Sequence, residues 1–423
     1  MSDHNRHPQA STGPLQRSKK DLIAATVLAT AALVGVGTVW ATAPIRHSDL
    51  VPPAETYTNP GALASAPTAL HERWRVSNPA VPSLTRPLIS EGLVISAEGG
   101  TVVAHDATTG EPVWSYERDL GVCSLGAAFG SVVVTYRNAA GCGDVTQIDA
   151  KTGTYRSTRS APSRDEVLPI SSNDRVGIVN SERVELWRSD LVRTVEYGDK
   201  VAKQEANLQP HENCVISSAL TRKELLAVVE KCPDQPNNSM LRFQATTPED
   251  SRKPKIKADV AIPGTDSQLI AVGQTAAAVY VPGAPAKLIT YDDQGKEKAR
   301  LDVKSSPLIA DHVENTPDLA FSPETADLPH HMTWFDGERL YLLNPASLAA
   351  EVIFEGALGT GVAVGDRIMF PIEGGIAVGN WANGQIESTI PVDRGDYQGR
   401  VALTVAGTTV VEKRGDTLVG LGG

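Results

Sequence analysis

Residues 93–116 read LVISAEGGTVVAHDATTGEPVWSY, three short apolar stretches separated by turns too brief to hold a helix. Leu93 to Ala97 alternates as a strand, Glu98-Gly99-Gly100 turns, and Thr101 to Asp106 alternates again. A second turn follows over Thr108 to Glu111, and Pro112 to Tyr116 is a third strand carrying Trp114. The unit is a β-meander. Its residues suit one sheet packed against others: Ala104 permits close approach, Asp106 accepts turn hydrogen bonds, Gly110 permits positive φ, and Trp114 covers a neighbouring sheet.

The rest of the chain repeats this unit with lower fidelity. Sheets phased on their second strands start near Gly92, Gly130, Asp174, Lys223, Gly273, Asp366 and Gly407, at spacings of 38, 44, 49, 50, 93 and 41. The 93-residue gap holds a further sheet, with His331 to Asp336, Arg339 to Asn344 and Ala350 to Glu355 as three of its strands. The expectation is an all-β, eight-bladed propeller over residues 70–423; seven blades is the alternative if one weak repeat is an insertion. No helix is expected after Leu70. The last sheet supplies only Val401 to Ala406, Thr408 to Lys413 and Thr417 to Leu421, so the lone strand LHERWRVS (Leu70 to Ser77) is expected to complete it and close the ring.

At Ala104, Asp106, Thr109, Gly110 and Trp114 the first unit resembles the A-x-D-x-x-T-G-x-x-x-W repeat of quinoprotein-type (PQQ-like) β-propellers. In enzymes of that family the repeat is accompanied by adjacent cysteines, a calcium site and a catalytic Asp. No two cysteines are adjacent here, and the second copy, Ile148 to Gly153, lacks the Trp. No quinone or other cofactor is therefore expected, and an oxidoreductase is the least favoured alternative.

Ahead of the propeller, residues 1–20 carry Arg6, Arg17, Lys19 and Lys20 against the single acid Asp3, and so read as a cytoplasmic tail. Leu22 to Ala43 is uncharged, long enough to span about 30 Å of hydrocarbon, so residues 21–43 are expected to be one transmembrane helix. A cleaved signal peptide ending at Ala41-Thr42-Ala43 is the rival; the long apolar run and Pro44 oppose it. Residues 44–69, rich in Pro, Ala, Thr and Ser, read as a flexible linker with a coil reach of about 28 Å. The expected location is the plasma (inner) membrane, single-pass, with the amino terminus cytoplasmic and the propeller periplasmic.

The formal net charge of −11 argues against general nucleic-acid binding, which needs a basic face. Four cysteines fall in two matched pairs, Cys123/Cys142 and Cys214/Cys232, the second offset from the first by 91 and 90 residues. Each pair joins the start of a blade's first strand to the loop after its second, so two disulfides are expected on one face, in an oxidising compartment. The chain enters the closing strand from the opposite face.

Loops on the bridged face, with Arg137 and Lys231, are candidates for partner contact. A second candidate is the long segment 304–331, whose end carries His330 and His331 ahead of Trp334. Its scattered carboxylates, Asp311, Glu314, Asp318, Glu324 and Asp327, suit solvation better than chelation, so no metal is expected. No G-x-S-x-G, Walker or H-E-x-x-H motif occurs, and no catalytic residue is assigned.

The whole plan resembles a family of actinobacterial membrane-anchored PQQ-like propellers, the pole-and-growth-factor (PgfA) family. The likeness rests on HERWRV, GTVVAHDATTGEPVWSY and CSLGAAFGSVVVTYRNAAGC. It implies a non-enzymatic role in cell-envelope biogenesis and polar growth: trafficking of trehalose monomycolate, with an RND-type mycolate lipid transporter and the mycolate glycolipid as partners. The alternative of a different class is a protein-assembly scaffold like BamB, whose family carries a lipobox cysteine that this sequence lacks near Ala43.

Overall fold

A turn-former heads each second strand and sets the phase of the chain. The computed structural model, which describes residues 18–79, 81, 84–200, 203 and 205–423, places the strands in that phase. Of the expected cytoplasmic tail, residues 1–17 lie outside the described residues.

Two units are present, Met1–Asp49 and Leu50–Gly423. The first contains helix α1 (Lys19–Ala41), 23 residues with a mean hydropathy of 2.2 and no buried side chain. Ser18 caps its start: its hydroxyl accepts from the Asp21 N–H at 3.2 Å, while Asp21 accepts from the Ser18 N–H at 2.9 Å. An all-round apolar helix of this length fits a membrane anchor or a signal peptide.

The second unit is an eight-bladed β-propeller. Its blades occupy residues 88–118, 122–160, 168–198, 215–263, 268–303, 324–355, 362–391 and 401–422, each a four-stranded antiparallel meander once the last is completed, and the sheet of the first blade carries a fifth, edge strand, Ser48–Val51. Completion comes from His71–Ser77, which pairs antiparallel with Thr417–Gly422 in the register His71 to Gly422 and Ser77 to Thr417. The ring therefore closes as expected, with eight blades rather than seven. First strands are innermost. Fourth strands lie on the outer side and alternate towards solvent, as in Ile256–Pro263 and Ala350–Glu355. Between blades the core is apolar, with Trp114, Tyr136, Tyr197, Phe243 and Phe370 fully buried.

The tryptophan repeat is the lock between blades. Trp74, on the closing strand, donates its indole N–H to the Ala107 carbonyl of blade 1 at 2.8 Å; Trp114 repeats this towards Ala150 of blade 2 at 2.7 Å. Each ring lies against the glycine of the next turn, where φ is +75° at Gly110 and +59° at Gly153. The turns are built by Asp106, which accepts from the Thr108 and Thr109 N–H groups, and Asp149, which accepts from those of Lys151 and Thr152.

Three expectations need correction. Residues 50–69 are not a free linker but a strap along the face opposite the bridges. Tyr57 donates its N–H to the Lys151 carbonyl of blade 2 at 3.0 Å, Pro60 lies against Gly407 of blade 8, and Leu63 and Ala66 pack on the core of blades 7 and 8. Burial, then the Asp106 charge, pushes the Tyr57 hydroxyl up to about 12. Proline-rich extended chain has little entropy to lose on docking, so isolated apolar residues suffice to hold it.

Second, a helix does follow Leu70: α2 (Pro307–Asn315) is capped by the Ser306 hydroxyl, which accepts from the Ile309 N–H at 3.2 Å, with Pro307 in its first turn. Third, the acidic segment is not one long loop, because Glu324–Asp327 is the first strand of blade 6.

Candidate functional site

Both disulfides form as the spacing predicts. Cys123–Cys142 and Cys214–Cys232 have Cα separations of 6.1 and 4.3 Å and close loops of 19 and 18 residues. Each ties the entry of a first strand to the connection between second and third strands, so the two lie on one face, on blades 2 and 4.

Arg137 and Lys231 lie at that face. The Arg137 guanidinium donates to the Asp165 carbonyl, and Lys231 pairs with Asp266 at 3.0 Å. Beneath the second bridge, Tyr197 of blade 3 donates to the Glu230 carboxylate of blade 4 at 2.7 Å; Arg242 holds the same carboxylate and reaches Asp259 at 3.0 Å. Burial pushes Glu230 up, opposed by Arg242. The loops at the second bridge thus stand on a hydrogen-bonded, ion-paired junction between blades 3 and 4.

The remaining expected contact residues are elsewhere. His330 and His331 form the turn between the first two strands of blade 6, on the strap's face, with ring centroids 5.0 and 6.2 Å from Trp381. His331 Nε2 lies 3.0 Å from Glu351. Trp334 is no contact residue: it is 1% exposed and packs on Tyr341, because all four positions of its strand Met332–Phe335 are buried. Arg137, Lys231 and the two histidines therefore do not form one site. Two residue groups among those described have metal-holding geometry, His211–Cys214–Glu230 and Cys214–Cys232–Asp234. Their sulfurs are committed to the bridge and are not thiolates.

Sequence reasoning missed the axial channel. The first strands of all eight blades line a cavity of about 560 Å³, joined by the segment that leads into blade 1. From that segment Arg86 crosses to blade 6 and donates through Nη1 to the Thr325 carbonyl at 3.0 Å. Protein surrounds the guanidinium while channel solvent still reaches it; burial pulls its pKa down and Glu324 opposes that shift. Glu324 is buried and accepts from Arg400 at 2.8 Å; burial raises its pKa, against the pull of Arg400 and Arg86. Asp327 pairs with Arg222 at 2.6 Å. The signal available in sequence was polar character on strands that should face inward, and it names no partner.

A family model described as outer membrane protein assembly factor BamB matches residues 68–228. No curated protein matches the chain. Among solved structures, BamB from Moraxella catarrhalis aligns over 84% of this chain and 100% of its own, at 14% identity and a TM-score of 0.48. A chain of a mitotic checkpoint complex aligns over 84% and 95%, at 12% identity and a TM-score of 0.43. The dihydro-heme d1 dehydrogenase NirN, in complex with DHE, aligns over 81% of this chain and 73% of its own, at 15% and 0.47. The family match agrees with the PQQ-type propeller seen here and fits a scaffold or binding role.

Proposed function

We propose that this protein is a membrane-tethered extracytoplasmic scaffold that binds partners through its bridged face and performs no covalent chemistry. One observation carries the reading: the two faces are used differently. Disulfides brace the loops of one, while residues 50–69 are laid across blades on the other. Loops braced before binding lose less entropy when a partner arrives, and the strap leaves the bridged face as the open one. Helix α1 supplies the tether.

Within that role, the resemblance to the actinobacterial pole-and-growth-factor family supports trafficking of trehalose-linked mycolates at the plasma membrane. The partners would be an RND-type lipid transporter and the glycolipid itself. The BamB family-model match over residues 68–228 favours a second reading, a scaffold for protein assembly. Charge reversal at Arg137 together with Lys231 separates these from a bystander face. Both side chains lie at the surface, so the fold should tolerate the change. Binding of purified mycolate glycolipid and of the transporter's periplasmic domain should weaken; unchanged binding of both would reject this face. Co-purification from membranes, read by lipid and protein mass spectrometry, decides between lipid trafficking and protein assembly.

A further inference from the structure

We propose that the Cys214–Cys232 bridge conceals a zinc site. When a dithiol reduces the bridge, Cys214, Cys232, His211 and Asp234 hold one Zn2+. The inference stands apart from what the bridged face binds. Its first support is a contrast between two bridges that the chain otherwise treats alike. They close loops of 19 and 18 residues at matching places in blades 2 and 4, so chain entropy favours both about equally. Their surroundings differ. A His211 ring nitrogen, Cys214 Sγ and a Glu230 oxygen lie within 4.8 Å of one another, and so do Cys214 Sγ, Cys232 Sγ and an Asp234 oxygen. Among the described residues no such group includes Cys123 or Cys142.

The second support is how the ligand pairs are held. His211-Glu212-Asn213-Cys214 is a turn closed by the Cys214 N–H, which donates to the His211 carbonyl at 3.0 Å. Cys232-Pro233-Asp234-Gln235 is another, closed by the Gln235 N–H on the Cys232 carbonyl at 3.0 Å. Each turn pairs a sulfur with a second ligand type. Two thiolates, an imidazole and a carboxylate make a set that tetrahedral Zn2+ takes. Glu230 stays outside it, because Tyr197 and Arg242 already hold that carboxylate. Burial lowers the His211 pKa from 6.5, so at neutral pH the ring is uncharged, the form that ligates. The third support is access. Cys214, 9% exposed, is the least buried of the four cysteines, and Asp234 is exposed, so reductant and metal can both enter from the bridged face. The chain is the substrate of the exchange and not its catalyst. One thiolate of the dithiol attacks Cys214 Sγ and the S–S bond breaks, Cys232 leaving as a thiolate with Arg242 Nη2 at 3.5 Å. The second thiolate then attacks the mixed disulfide and frees Cys214. The dithiol ends as its own disulfide and the bridge as two thiols, whose protons leave when Zn2+ binds.

The test uses full-length protein in a neutral detergent carrying Cys123→Ser and Cys142→Ser, so that the second bridge alone supplies thiols. This parent is reduced anaerobically with dithiothreitol, freed of it by gel filtration and titrated with Zn2+ against a chromophoric chelator. It should bind one more Zn2+ per chain after reduction than before. The metal should also restore part of the denaturation midpoint lost on reduction, because it replaces the cross-link. His211→Ala and Asp234→Asn, added singly to the parent, should each weaken zinc binding by more than about tenfold, a loss that removing even an outer-shell partner commonly causes. Both variants should still form the bridge in air. The proposal is overturned if the bridge resists dithiothreitol in the folded protein, or if the reduced parent gains no Zn2+ at micromolar concentration. It is equally overturned if the reduced chain unfolds and Zn2+ does not refold it, or if both single variants bind zinc as the parent does.

Discussion

Trp114 of blade 1 donates its indole N–H to the Ala150 carbonyl of blade 2 at 2.7 Å and lies across Gly153, so a side chain on one sheet fixes the turn of the next. An ideal Cβ at Gly153 would sit 2.9 Å from the Trp114 ring base, and one at Gly110 would sit 2.6 Å from Trp74. Gly153→Ala and Gly110→Ala should each destabilise by about 1–3 kcal/mol, through left-handed backbone and forced repacking together. Trp114→Ala should cost about 3–5 kcal/mol. Urea unfolding monitored by circular dichroism measures all three. A Gly153→Ala variant as stable as wild type would refute the lock.

Each disulfide closes a loop of 18 or 19 residues and should stabilise by about 3 kcal/mol in the loop-entropy picture. Replacing either pair by serines should lower the denaturation midpoint without unfolding the protein at 25 °C. Non-reducing peptide mapping should recover Cys123 with Cys142 and Cys214 with Cys232; any crossed pair would contradict the arrangement.

His105 is 6% exposed, its Nδ1 donating to the Gly110 carbonyl at 2.9 Å and its Nε2 2.8 Å from the Ser96 hydroxyl. Burial lowers its pKa from 6.5, so the folded ring stays neutral where the unfolded one is protonated. The stability it contributes is therefore complete above pH 6.5 and declines as pH falls below that value. It levels off once pH passes the folded pKa. The slope from this one group is at most about 1.4 kcal/mol per pH unit. His211 and His312 are shifted in the same direction, so the informative quantity is the difference between wild type and His105→Gln. That difference should shrink from pH 7.5 to 5.5; a difference independent of pH would show that His105 titrates alike in both states.

The strap should be protected in solution. Hydrogen exchange at the Tyr57 amide, which donates to Lys151, should be slowed well below the free-peptide rate. Tyr57→Ala should open residues 50–69 to limited proteolysis while the blades stay resistant. Free-peptide exchange at Tyr57 in the wild type would return this segment to a loose linker.

Period-two alternation, the Gly- and Asp-bearing turns and the matched cysteines are all local signals, and from them the blade phase, the closing strand and both bridges could be read. The helix α2 also had a local signal, the Ser306-Pro307 start, but its nine residues sit in an acidic run that reads as a loop. Trp334 was misjudged because an aromatic beside two histidines looks like a ligand site, whereas its strand is buried on both sides. The axial channel left no local trace. Arg86 and Thr325 lie 239 residues apart, and only ring closure brings them within a hydrogen bond. The strap escaped for a similar reason, since Tyr57, Leu63 and Ala66 follow no period and find their partners on four different blades.

Pairing of His71–Ser77 with Thr417–Gly422 ties together segments at opposite ends of the propeller; Arg73 bonds to Gly423, 350 residues later. A chain made progressively from its amino-terminal side must therefore hold its first propeller strand unpaired until the last one has been added. During that interval Trp74 lacks part of its packing and a sheet edge stands open to other chains. Loss of the Thr417–Gly422 strand would then damage two places at once, the eighth blade and the Trp74 contact with blade 1, so ring closure acts as a test of whether the whole propeller has been made.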